Sequence, residues 1–593
     1  MAKEGYKISD IYQGGYSSLD PNSGQDSLYR IPAGEIGMAT DFRTADVLKD
    51  ISDKLKTGTK QIEMSTIQPE VFESIPNQHL KEVNRLSKLT GVDISVHAPL
   101  IEPSGLTQQG YSEFAREQAE RQMLSAVERA HMVNPSGHVP VTFHSSSGWQ
   151  GTEYKKIKDG EEKLKIPLIN QESGQMMMVE KEEGVRRLGY SEQDLIKGKT
   201  ISAQERIENV NATHWDNELL QIMAMKSRLD NDSRELEHID KQVHPLISKG
   251  IADEKYLEEN VQAKDWNKYQ EILMQFRELY GQNLNSLFEK AFKYGSEEDK
   301  KRLIEASGKV SEIVHSNTSP IEETSTAISV LVNELQRITP RIYKPVEEVA
   351  LDKTATTFGN IAFESYKKFK DTAPIVTIEN PPAGGAFSRG EELKQVVEKS
   401  QQNFIKKAMS ELGMSEKDAK AQAQKLLGVT WDVGHINMIR KYGYEGKDVV
   451  KETEKVAPLV KHVHLSDNFG LDHTELPMGM GNVPIQEIMQ RLGKEGFSGK
   501  KVIEAGNWWQ HFKTPPFQET LEAFGSPIYS MKMQPYWNQA GGFQQGYFSG
   551  YGQMLPQMNY ETTGAGFSQL PAELGGQRGG GTAGSRMSGR PME

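Results

Sequence analysis

The chain of 593 residues contains no cysteine, which removes disulfides, thiolate nucleophiles, iron–sulfur clusters and cysteine-type structural zinc. Any bound metal must therefore rest on histidine and carboxylate side chains. Long apolar runs are missing as well, since none approaches the roughly 18 to 20 residues that a membrane-crossing helix needs. The polar start, MAKEGYKISD, lacks the apolar stretch of a secretory signal. A cytoplasmic protein with no membrane partner is the expectation. Basic residues are in deficit, 70 Lys and Arg against 82 Asp and Glu, for a formal net charge of −12. That balance argues against a nonspecific nucleic-acid coat, because neutralising phosphates needs a surplus of cations. A local basic groove stays open.

What is present is enough apolar material for a core, 36% of residues, beside 26% charged residues, with a mean hydropathy of −0.62 that implies long solvated stretches. Single domains run to about 250 residues, so one large domain with an insertion and a tail is expected. From Glu35 onward, short β-type runs alternate with amphipathic helical stretches, as in parallel strands joined by crossover helices. Eight runs are visible: EIGMAT, KQIEMS, DISVHAP, VPVTFHS, PIVTIEN, GVTWDVGH, VKHVHLS and KKVIEAG. Between them, segments such as SEFAREQAERQMLSAVERAHMV repeat apolar residues at three and four. The pattern predicts an α/β fold, a (β/α)8 TIM barrel, with an open doubly wound sheet as the alternative.

The alternation breaks after the fourth run. A hairpin is predicted from KLKIPLIN and QMMMVEKE, with Gly174 supplying a left-handed turn position. Charged helical stretches follow, from about Ala203 to Ser248, Lys255 to Tyr294 and Ile321 to Ile338. The organisation read from the sequence is an N-terminal extension (1–30), the first barrel half with strands one to four (31–148), and a large, mainly α-helical insertion after strand four (149–345). The second barrel half (346–530) and a disordered tail rich in Gly, Gln and Tyr (531–593) complete it. The insertion is placed at the ligand end of the barrel, as a lid, an oligomerisation arm or a partner-binding module.

In a parallel barrel, side chains at the C-terminal strand ends converge on one face. Here those ends carry His97, His144, Glu379, Asp432, His464 and Glu504 on six consecutive strands. Each is a ligand type for a divalent ion. Carboxylates buried together would repel unless metal or protons neutralised them. Lys461 and His462 add nearby donors, His462 being assigned to the helix-facing side of its strand. Arg389, Ser145, Ser146 and Asn507 also lie near strand ends, without forming a recognised phosphate loop.

The segments VHAPL, VTFHSS, VTIENPP, WDVGHIN, HVHLSDN, ELPMGMGNVP and KVIEAG occur in an order that resembles the xylose isomerase-like barrel superfamily. That superfamily includes sugar and sugar-phosphate isomerases and epimerases, and also apurinic endonucleases of the endonuclease-IV type. In the epimerase branch, the resemblance implies one manganese or similar ion on Glu379, Asp432, His464 and Glu504, the two glutamates also moving protons, with His435 bonding substrate hydroxyls. Glu63 and Asn437 join His435 as candidate substrate contacts. In the endonuclease branch it implies three zinc ions: one on His97, His144 and Glu379, one on Glu379, Asp432, His464 and Glu504, and a third using His435. The third site departs from the family pattern, with His473 and Glu475 where an Asp and a His are usual; Asp472 and His473 are the alternative pair.

Two functions follow. The first is a metal-dependent isomerase or epimerase acting on a sugar, sugar phosphate or related polyol through a metal-stabilised enediolate, with Glu379 and Glu504 as acid and base. HLSDNFG and PMGMGNVP resemble that branch more closely. The second is zinc-dependent phosphodiester hydrolysis at abasic DNA, against which stand the acidic balance and the lack of a basic, aromatic-interleaved reading loop. The expected cofactor is one to three divalent ions, Mn2+ or Zn2+, with Mg2+ or Co2+ as alternatives. DNA is a partner only under the second function, and the insertion offers a route to a homo-oligomer or a protein partner.

Overall fold

The computed structural model describes residues 35–66, 68–158, 160–185, 191–234, 249, 263–314, 320–506, 508, 512 and 515–524. The expected N-terminal extension and the Gly/Gln/Tyr-rich tail lie outside the described residues, as does Asn507. Residues 34–516 form one compact unit; beyond it the chain is described for a short helix, Phe517–Ala523.

Eight strands close into a parallel barrel in chain order: β1 (Ile36–Ala39), β2 (Gln61–Ser65), β3 (Asp93–His97), β4 (Pro140–His144), β5 (Ile375–Glu379), β6 (Leu427–Asp432), β7 (Val460–Leu465) and β8 (Lys500–Ile503). All eight runs read from the sequence become barrel strands. Their outward residues, such as Val96, Val141, Ile378 and Val463, are fully buried under the surrounding helices, which is why these strands are apolar on that face. The helices carry local start and stop signals. Ser112 accepts a hydrogen bond from the Ala115 amide to begin Glu113–Val133, and Gly413, at φ 64°, ends Gly390–Leu412.

The inward face is polar to an unusual depth. Two residues before five of the six strand-end candidates, on the same face by the period of two, stand Ser95, Thr142, Thr377, Thr430 and His462; Val502 takes that place before Glu504. Thr142, Thr377 and Thr430 share hydroxyl hydrogen bonds of 2.8 to 3.3 Å across three strands. A bulge interrupts the pairing of β6 with β7: Val429 pairs with Val460 but Thr430 with His462, leaving Lys461 as the extra residue. Gly428 makes room for it, since a Cβ there would meet the Lys461 side chain.

The insertion follows β4. Its hairpin pairs Gly160–Asn170 with Met176–Glu180, and Gly174 has φ 72°. The structure adds more β than expected, because Glu153–Ile157 and Tyr343–Pro345 flank Gly160–Asn170 to make a four-stranded antiparallel sheet. Helices follow at Ala203–Arg234, Ala263–Glu278, Asn285–Tyr294, Glu297–Val314 and Pro320–Leu335, with a π-helical turn at Leu279–Leu284. The helix Glu297–Val314 is absent from the sequence reading; its highly charged stretch EEDKKRLIEASGKVSEIV buries only a narrow apolar stripe through Leu303, Ala306 and Val310. Trp215, Phe276, Leu284 and Leu335 anchor a core separate from the barrel's, and the Trp215 indole donates to the Leu335 carbonyl at 2.9 Å.

Candidate functional site

The six strand-end residues meet at one barrel mouth. His97 Nε2 lies 3.1 Å and His144 Nε2 3.3 Å from Glu379 Oε2, while His464 Nδ1 lies 2.8 Å from Glu379 Oε1 and 3.2 Å from Glu504 Oε1. Glu379, Asp432, His464 and Glu504 each offer a ligand atom within 4.8 Å of the others. Parallel register produces this convergence: Glu379 is level with His144, and Asp432 with His464.

Asp432 is held from several directions. It caps the short helix Val433–Asn437 by accepting from the His435 amide at 2.6 Å, and it accepts from the Ser466 hydroxyl at 3.1 Å. Its backbone exchanges hydrogen bonds with the Asn380 side chain, 2.9 and 3.0 Å. His435 donates from Nδ1 to the Asn380 carbonyl at 2.7 Å, which leaves Nε2 against His473 Nε2 at 2.8 Å. His473 Nε2 is 3.6 Å from Glu475 Oε1. Glu475 adopts a left-handed backbone, φ 44°, a conformation uncommon outside glycine.

Electrostatics follow from crowding three carboxylates in a dry mouth. Burial and the negative charge of Glu379 raise Asp432 to about 6. Burial alone would raise Glu379 too, but the charge of His464 and the hydrogen bonds from His464 and His97 hold it well below the usual carboxylate range. His464 rises well above its ordinary value, because Glu504, Glu379 and Glu63 outweigh its burial. His97 and His144 both border Glu379 yet move oppositely. The hydrogen bond and charge of Glu379 overcome burial and lift His97 to about 9, whereas burial pushes His144 down to about 3. One of the two therefore carries the proton shared with Glu379. Burial likewise lowers His435, to about 4.

These donors fit a divalent cation. Three carboxylates and one imidazole lie within mutual reach, the set suits a hard or borderline ion, and burial with the charge of Glu379 disfavours an ionised Asp432, a cost a cation would offset. Above the donors is a cavity of about 230 Å³. His97, His144, His435, His473, Glu475 and Glu504 form its polar wall, and Met38, Phe42, Leu100, Ile503 and Pro516 an apolar one.

Several sequence-derived assignments change. Glu63 does not line the cavity; it is fully buried beneath it, accepting from Ser95 at 2.8 Å and facing His462 and His464. His462 points into the barrel rather than toward the helices, because positions two apart on a strand share a face. Lys461, not His462, is the residue displaced by the bulge. Asn437 is also buried away from the cavity, its amide donating to Asn468 Oδ1 at 3.0 Å and Asn482 Oδ1 at 2.9 Å. Arg389 is no anion receptor: its guanidinium binds Glu452 at 2.6 Å and Glu161 at 2.8 Å. Ser145 and Ser146 point at the Ala386 carbonyl, 3.4 Å. Among the described residues, none of the insertion's lines the cavity. The insertion instead docks beside the mouth through pairs such as Lys156 with Asp448 and Glu161 with Arg389.

The support layer under the ligands was missed from the sequence. The repeated signal was available, a hydroxyl or imidazole two residues before five of the six ligands, but the partners lie on other strands, 32 to 399 positions away.

A segment of 83 residues is 32% identical to an uncharacterized protein of Methanocaldococcus jannaschii, covering 14% of this chain and 27% of that protein. The chain thus spans about a quarter of the length of the curated relative it matches. Among solved structures, the crystal structure of a D-tagatose 3-epimerase-like protein is similar at a TM-score of 0.37 and 13% identity, over 83% of this chain and 96% of that one. Residues 407–524, which carry Asp432, His435, His464 and Glu504, match the family model described as a xylose isomerase-like TIM barrel. Over those residues the chain is similar to that family, and the closed eight-stranded parallel barrel around them is the fold its description names.

Proposed function

We propose that the protein is a divalent-metal-dependent isomerase or epimerase of a sugar, sugar phosphate or related polyol. The observation that carries this reading is the set Glu379, Asp432, His464 and Glu504, clustered beneath a small cavity with polar and apolar walls. A divalent ion on these residues would polarise adjacent substrate oxygens and acidify the intervening C–H. Glu504, partly exposed and in the cavity wall, is the group placed to take and return that proton. Glu379, fully buried among the same donors, is assigned as its counterpart. His435 and His473 line the cavity and would meet substrate hydroxyls by exchanging their mutual Nε2 contact for them, and the apolar wall excludes water from the reacting carbon.

The test is proton exchange. Manganese-loaded protein offered a panel of ketoses and aldoses in deuterated water should incorporate deuterium at the carbon next to the carbonyl. Glu504→Gln should lower that rate by roughly 10²- to 10⁴-fold, the usual share of a general base, while retaining metal. No exchange with any member of the panel, on protein shown to hold metal, would reject the reading.

One observation favours a second reading. His97, Glu379 and His464 form a second group of possible ligands, with His144 also near Glu379 Oε2, and hydrolysis of abasic DNA would require a further ion there. Elemental analysis giving three zinc ions per chain, with nicking of an abasic duplex, would support it. Three ions without nicking would remove it.

A further inference from the structure

Beneath the candidate metal donors lies a closed group that substrate cannot reach. Glu63, His462 and His464 are each fully buried. Glu63 Oε2 takes two hydrogen bonds at 2.8 Å, one from the Ser95 hydroxyl and one with His462 Nε2. Its other oxygen, Oε1, lies 2.9 Å from His464 Nε2, and neither atom has any aligned hydrogen-bond partner among the described residues, so each is the group left to satisfy the other. The opposite nitrogen of the same ring, Nδ1, faces Glu379 and Glu504.

We propose that Glu63 is a positioning residue for His464, holding Nε2 as the protonated nitrogen so that the Nδ1 lone pair faces the metal donors, with Ser95 and His462 fixing the carboxylate itself. The inference rests on the metal reading above. A buried carboxylate with one oxygen unsatisfied is costly, and an imidazole has one donor and one acceptor nitrogen when neutral. If Glu63 Oε1 accepts from Nε2–H, both requirements are met in one contact and the tautomer that can ligate through Nδ1 is selected. Outer partners of this kind set the orientation and basicity of ligating histidines. Glu63 therefore acts from below, where the sequence pattern had suggested a substrate contact.

The experiment compares Mn2+ affinity, by calorimetry on the full-length chain, for wild type, Glu63→Gln and Glu63→Leu. Loss of an outer partner typically lowers affinity about 10- to 100-fold. That loss is expected for Glu63→Leu, with Glu63→Gln intermediate because its amide oxygen can still accept from Nε2–H. Leu binding as tightly as wild type overturns the positioning role and leaves the metal reading intact; wild type failing to bind overturns both. Should Glu63→Leu not fold, 15N chemical shifts of histidine-labelled, Zn2+-loaded wild type, assigned with His464→Gln, decide the matter. A His464 signal protonated at Nε2 supports the role, and one protonated at Nδ1 overturns it.

Discussion

Metal binding should stabilise this protein strongly at pH 7.5 and weakly at pH 5. The cause is Asp432, raised from 3.8 to about 6 by burial and by Glu379. A raised folded-state value means the contribution to stability is full below the unfolded value and is lost as pH climbs through the folded one. The shift is about two units, so metal-free protein gives up about 3 kcal/mol at this position between pH 4 and pH 6, at about 1.4 kcal/mol per unit. A cation among Glu379, Asp432, His464 and Glu504 removes that penalty, but below pH 6 it must first displace the Asp432 proton, which weakens apparent affinity about tenfold per pH unit. His464, itself raised, must also release a proton when it ligates. Calorimetry in buffers of different ionisation enthalpy should therefore show about one proton released at pH 7.5 and about two at pH 5. The direct assay is thermal unfolding of chelator-stripped protein with and without Mn2+ at both pH values. A metal-induced rise in Tm as large at pH 5 as at pH 7.5 would refute the assignment of Asp432 as the acid under stress.

Two predictions concern the scaffold. Glu452→Ala strands the buried Arg389 guanidinium, which is 10% exposed, and should cost about 3–5 kcal/mol as broken buried pairs do. Chemical denaturation measures it, and a change under about 1 kcal/mol would show that Glu161 alone compensates. Trp215→Ala removes the largest side chain of the insertion's own core together with its bond to Leu335, costing about 3–5 kcal/mol. Hydrogen exchange should show protection lost across Ala203–Arg234 and Pro320–Leu335 while β3 to β8 keep theirs. Equal loss in the barrel strands would mean the insertion does not carry a separable core.

The sequence alone determined the barrel and the candidate ligand types at its strand ends. Alternation of period two, broken by amphipathic helices, marked all eight strands, because a strand under helices must be apolar on its outer face. The same alternation put His97, His144, Glu379, Asp432, His464 and Glu504 at strand ends, since the ligand type and its place on the strand are local properties. Gly174 marked its hairpin for an equally local reason, the left-handed backbone at that turn. Local pattern also misled. The charged helix Glu297–Val314 shows too narrow an apolar stripe to be told from a loop, and His462 was assigned to the wrong face of a strand it shares with His464.

Only closure of the barrel decided which residues touch. It brought Glu63 to His462 across 399 positions and His97 to Glu379 across 282, moving Glu63 from a supposed substrate contact to the floor beneath the donors. It likewise made Arg389, read from the sequence only as lying near a strand end, the partner of Glu452 and Glu161. Such pairings depend on strand register and on which layer of the interior a side chain reaches. Neither quantity is written in the residues flanking any one of them.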